Sequence, residues 1–83
     1  MIIALLAAVL CLPAAAAAPY EDAKALYDAG RFDQSAAAFE ALSAQNPRDS
    51  ALQYDLGNAL LKSGRLSRAS VAYQRAFDLD PRD

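Results

Sequence analysis

The sequence predicts an all-α protein: two helical hairpins, a short α-solenoid fragment, behind an apolar amino-terminal segment. Three observations carry this. The chain matches itself at an offset of 34 residues, with Gly30 recurring as Gly64, Phe32 as Leu66, Ala38 as Ala72, Phe39 as Tyr73 and Pro47 as Pro81. Within each copy the apolar residues fall three and four apart, the spacing of one helical face. Each Gly-Arg pair, Gly30-Arg31 and Gly64-Arg65, lies 17 residues before its proline. Each copy therefore has a turn in its middle and a break at its end. Self-similarity at such a period marks stacked supersecondary units.

The apolar segment comes first. Residues 1–19 carry no charged side chain, and all eight basic and ten acidic residues lie from Glu21 onward. Met1 to Leu12 is almost entirely Ile, Leu, Val and Ala, followed by Pro13 and the alanines 14–18. An apolar core, a helix breaker and then small residues is the layout of a secretory signal peptide, here residues 1–17. Cleavage is expected after Ala16 or Ala17. No Lys or Arg precedes the apolar core, so the positive charge is left to the amino terminus. The alternative is an uncleaved anchor over residues 2–18. A membrane helix needs about 20 apolar residues, and Pro13 interrupts this run. Cys11 follows the large Leu10, where a lipid-attachment cysteine follows a small residue, so it reads as an ordinary apolar position.

The domain over residues 18–83 should hold two repeats, at about 19–47 and 50–83. In the first, Ala23, Leu26 and Tyr27 share a helical face. Pro19, Glu21 and Asp22 suit a first turn, where proline loses no hydrogen bond and acids favour the dipole. Gly30 supplies the left-handed residue that ends this helix. Asp33 is the expected N-cap of the second helix, which turns Ala36, Phe39 and Leu42 inward. Asn46-Pro47 stops it.

The second repeat opens on Ser50-Ala-Leu-Gln53, which reads as a capping box. Leu52, Leu56, Ala59 and Leu60 form its inner face. Gly57, mid-helix, costs about 1 kcal/mol against alanine and implies a close crossing by the partner helix. Ser67 is the expected cap of the last helix, whose inner face is Ala69, Ala72, Tyr73 and Ala76. Tyr73, Phe77 and Leu79 should remain partly uncovered.

These residues resemble the tetratricopeptide repeat family. Leu56-Gly57, Leu60, Gly64, Ala69, Tyr73, Ala76 and Pro81 stand in the order of its signature, with Gln53 in place of the leading Trp. The first copy is degraded: Leu26, Gly30, Phe39 and Pro47 fit, while Asp22-Ala23 replaces Leu-Gly and Ser35 replaces the small Ala. More narrowly, the leader, the divergent first repeat and the segments 51–60 and 78–83 look like the amino-terminal part of exported bacterial repeat proteins of the Bat aerotolerance type. The resemblance implies stacked hairpins whose first helices line a concave groove. By position the groove residues are Tyr20, Lys24, Tyr27 and Asp28, then Ala51, Tyr54, Asn58, Leu61 and Lys62. It also implies a protein or peptide partner and a place in the bacterial periplasm or cell envelope. Asn58 matches one position of the clamp that holds carboxy-terminal acidic tails. Tyr54 stands where that clamp needs lysine, so such a clamp is not expected.

Composition bounds the chemistry. Net charge is −2, with signs interspersed, and this gives no support to nucleic-acid binding by phosphate neutralisation. His is absent and the single Cys is Cys11. The repeats thus lack a thiol, an imidazole and the usual zinc ligands, and no cofactor or catalytic activity is expected. Two functions compete: an exported, non-catalytic scaffold that holds a peptide or protein partner, or a structural, self-associating segment of a larger envelope protein. Asp80-Pro-Arg-Asp83 mirrors Asn46-Pro-Arg-Asp49, the link that launches the second repeat. A third repeat or a capping helix is therefore expected beyond it.

Overall fold

The computed structural model describes residues 19–82. The signal-segment and anchor expectations fall on residues 1–18 and lie outside the described part. Four helices follow one another: α1 (Pro19–Asp28), α2 (Phe32–Gln45), α3 (Ser50–Lys62) and α4 (Leu66–Leu79). Each packs chiefly against its neighbour in sequence, α1 on α2, α2 on α3 and α3 on α4. No strand occurs among the described residues. None of the described helices is long and apolar enough to cross a membrane.

The turns inside the two hairpins are copies of each other. Gly30 has φ +80° and Gly64 φ +86°, the left-handed region that a Cβ disfavours. The N–H of Gly30 donates to Tyr27 O at 3.0 Å and that of Arg31 to Leu26 O at 2.9 Å. Gly64 and Arg65 donate to Leu61 O and Leu60 O at 3.0 and 2.9 Å. This paired closure satisfies the last carbonyls of α1 and α3 and turns the chain back in two residues.

That economy corrects two expected caps. Helix α2 starts at Phe32 and α4 at Leu66, so Arg31 and Arg65 occupy the N-cap positions with no side-chain cap bond. The turn runs directly into the next helix and leaves no room for Asp33 or Ser67 to stand outside it. Asp33 instead sits in the first turn of α2, with Arg65 Nη2 at 3.6 Å from its carboxylate. A third correction concerns α3. Asp49, one residue before Ser50, is the N-cap, and its carboxylate accepts the Leu52 N–H at 3.2 Å. Gln53, expected to reach back in a capping box, is buried instead at 6% exposure.

The core runs along the helix seams. Ala23, Ala36, Phe39, Leu52, Leu56, Ala59, Leu60, Ala69 and Ala72 are buried in one cluster, with Tyr27, Leu42 and Tyr73 packed against it. The expected inner faces of α3 and α4 are thus the observed ones. Alanines at the crossings let the backbones approach, and Phe39 and Leu60 fill the space between. The close crossing implied by Gly57 is present. A Cβ built there would lie 2.6 Å from Tyr73 Cε1. Ser35, where the family pattern has alanine, is fully buried and its hydroxyl donates to Ala23 O at 3.0 Å. The bond ties α2 to α1 at their crossing. At the far end, Asn46 ends α2 with its backbone N–H on Leu42 O and Ser43 O, as the following proline requires.

Two aromatic contacts repeat the 34-residue offset in space. Tyr20 meets Phe39 edge to face at 5.9 Å between ring centroids. Tyr54 meets Tyr73, their counterparts, at 5.7 Å. Helix α3 packs against α2, so Phe39 is 2% exposed. Across α3 and α4, Tyr54, Leu61, Leu66 and Phe77 are 56, 47, 62 and 54% exposed. The partial uncovering expected of Phe77 and Leu79 is observed, and it extends along the whole α3–α4 face.

Candidate interaction site

An open cleft of about 610 Å³ is walled by three helices. Tyr20 enters from the first turn of α1, Tyr54 and Asp55 from α3, and Tyr73 and Phe77 from α4. Four aromatic rings and one carboxylate thus line a single cleft. Local structure explains the convergence. Tyr54 and Asp55 are consecutive on α3, so they point about 100° apart, Tyr54 toward α4 and Asp55 toward α1. Tyr73 is drawn to α3 by the missing Cβ of Gly57, and its hydroxyl donates to Asn58 Oδ1 at 2.6 Å. Phe77 lies one turn further along α4.

Asp55 is the polar centre. The Tyr20 hydroxyl donates to its Oδ2 at 3.0 Å and bridges α1 to α3. Half-burial raises the Asp55 carboxyl above the ordinary aspartate value. The Tyr20 hydrogen bond and the charge of Lys24 oppose that rise without cancelling it, while nearby Asp49 adds to it. Tyr20 is raised above the usual phenol value, first by its bond to Asp55 and then by burial and the charges of Asp55, Glu21 and Asp49. Tyr73 is raised by burial first. Both phenols are therefore neutral donors at physiological pH, and the cleft carries a single negative group.

The residues expected to line a groove divide among several places. Tyr20, Ala51 and Tyr54 lie on the main cleft. Lys24, Tyr27, Asp28 and Asn58 surround a smaller hollow of about 140 Å³ between α1 and α3, which Asp55 also lines. Leu61 belongs to a third hollow on the outer α3–α4 face, beside Leu66 and Phe77. The Lys62 ammonium lies 5.9 Å from the centroid of the Phe32 ring, near the hairpin turns. Asn58 Oδ1 accepts from Tyr73, which engages the acceptor that a peptide N–H would otherwise use.

Five cleft residues fall outside the expected groove lining: Ser50, Asp55, Tyr73, Ala76 and Phe77. A signal for Asp55 was present. It stands four residues after Ala51 and three before Asn58, on the same helical stripe. Tyr73 and Phe77 come from a second helix of a hairpin, which a lining drawn from first helices omits. Among the described residues no group of three acidic, His or Cys side chains could hold a metal ion.

A family model described as Tetratricopeptide repeat matches residues 20–83 of the chain. Among curated proteins nothing matches.

Proposed function

The chain belongs to the tetratricopeptide repeat family, whose repeats generally mediate protein–protein interaction, and from that premise we infer that it is a non-catalytic scaffold holding a peptide segment of a partner protein in the cleft between α1, α3 and α4. One observation carries the reading. Tyr20, Tyr54, Tyr73 and Phe77 converge on one open cleft, with Tyr54 and Phe77 more than half exposed. Aromatic rings offer large, stiff contact area at small entropic cost, and exposed ones cluster where partners bind. The apolar, uncharged leader supports export to the bacterial periplasm or cell envelope, as for the exported repeat proteins of the Bat aerotolerance type that the chain resembles. Tyr54→Ala with Phe77→Ala, followed by pull-down from an envelope extract, tests the cleft. Partner recovery should fall sharply, and full recovery with the double variant would remove the cleft from the function.

The second reading is structural, and the repeated aromatic pair favours it. Tyr54–Tyr73 on α3 and α4 is the counterpart of Tyr20–Phe39 on α1 and α2, and α3 covers the latter's α2. The same apolar face on α3–α4 then serves self-association or a further helix of a larger envelope protein. Sedimentation at rising concentration separates the readings. A monomer throughout supports the peptide scaffold, whereas a dimer abolished by Leu66→Lys supports association.

A further inference from the structure

Building on the cleft as a peptide site, we propose that its occupant presents a lysine or arginine side chain, whose cation sits among the rings of Tyr20, Tyr54, Tyr73 and Phe77 and faces the Asp55 carboxylate.

The first argument is charge. Asp55 is half-buried in an aromatic-walled cleft, and no ion pair among the described residues includes it. Its hydrogen bond is to a neutral hydroxyl, which leaves the carboxylate without an ion-pair partner in direct contact among the described residues. Of the charges acting on Asp55, Lys24 favours its ionised form and Asp49 opposes it. A further acid, Glu21, acts on Tyr20. The cleft is thus complementary to a cation and unfavourable to an anion.

The second argument is the walls. An aromatic ring presents a negative face, and cations settle over such faces with more gain where water is reduced. Tyr54 and Tyr73 are tilted 51° to each other at 5.7 Å, so they form a corner rather than a closed stack. A long alkyl stem ending in a charge fits this combination. The stem lies on the rings while the head reaches the carboxylate. A purely apolar side chain would leave Asp55 desolvated without compensation.

Four acetylated and amidated pentapeptides, Gly-Gly-X-Gly-Gly with X as Lys, Arg, norleucine or Glu, serve as probes. They are titrated into the full-length 15N-labelled chain and followed by NMR at the amides of residues 20, 54, 55, 73 and 77. The Lys and Arg peptides should shift these amides and bind at least about fivefold more tightly than norleucine, with the Glu peptide weakest. Asp55→Asn, which retains an oxygen able to accept from the Tyr20 hydroxyl, should abolish the preference for Lys over norleucine. Raising the salt concentration should weaken the Lys peptide and leave norleucine unchanged. Equal binding of norleucine and Lys to the wild type would overturn the cationic proposal and leave the peptide scaffold standing. Failure of all four peptides to shift the cleft amides would overturn both.

Discussion

Tyr73 occupies the place where a side chain at Gly57 would begin. Its Cε1 and Cδ1 lie 2.6 and 2.7 Å from an ideal Cβ built on that glycine. The ring cannot swing freely aside, because its hydroxyl is bonded to Asn58 Oδ1 at 2.6 Å. One missing carbon on α3 therefore sets the position of an aromatic wall supplied by α4.

Gly57→Ala tests that relationship through two opposed effects. Alanine gains about 1 kcal/mol of helix propensity. Overpacking against a ring held at both ends costs about 1–3 kcal/mol. The net effect expected is destabilisation, seen as a lower midpoint in urea. In a Tyr73→Ala background the clash is gone and the same substitution should stabilise. The reversal of sign is the informative result, and destabilisation in both backgrounds would refute the steric account.

Asp49→Ala should cost about 1 kcal/mol, since it removes the side-chain acceptor for the Leu52 N–H. Ser50→Ala should stay within about 0.5 kcal/mol of the wild type. Thermal unfolding of the two variants decides which residue caps α3. Equal losses would contradict the structural assignment.

Gln53 stands where the family signature has tryptophan, and its Oε1 is buried with no hydrogen-bond partner among the described residues. Gln53→Met keeps the length and removes the unmet acceptor. A gain of about 1 kcal/mol in unfolding free energy is expected. A loss would mean that the amide oxygen is paired in solution.

The pH dependence of stability has a definite sign at Asp55. Its folded-state pKa is raised above the unfolded value, chiefly by burial, against the opposing effects of the Tyr20 hydrogen bond and Lys24. The contribution of this group is therefore complete below the unfolded pKa and is lost as pH rises through the folded one. Asp55→Asn keeps an oxygen for the Tyr20 hydroxyl and does not ionise. The variant should match the wild type in acid and exceed it in melting temperature at neutral pH, by a small margin because Asp55 is only half-buried. A variant less stable at neutral pH would reverse the assigned sign.

The helices and their inner faces were legible because burial follows periodicity. Leu52, Leu56, Ala59 and Leu60 share a stripe in the sequence and a seam in the fold. Both glycine turns were legible because few residues accept positive φ. The helix starts were not. A favourable N-cap residue is a local preference, while the two-residue glycine turn leads α2 and α4 directly onward from Arg31 and Arg65. The cleft was half legible. Tyr20 and Tyr54 sit on first helices, where a groove was expected, but Tyr73 and Phe77 reach it from α4. Their arrival depends on the crossing at Gly57, a distance that residue spacing within one helix does not encode. A lone acid on a helix is usually solvated, so its place on the groove stripe does not by itself single out Asp55. Only the neighbouring elements reveal that it is half-buried.

Helix α1 is ten residues long, and Ala23 is its one buried residue. It is held by the Ser35 hydroxyl at one crossing and by the Tyr20–Asp55 bond at the cleft. Such an element is expected to undock before the rest of the fold, at a fraction of the global unfolding free energy, which native-state hydrogen exchange would read directly. Tyr20 leaves the cleft whenever it does. Occupancy of the cleft and closure of α1 would then be linked equilibria: a bound segment should slow amide exchange over residues 20–28, and any change that loosens α1 should lower apparent affinity by the fraction of time the wall is missing.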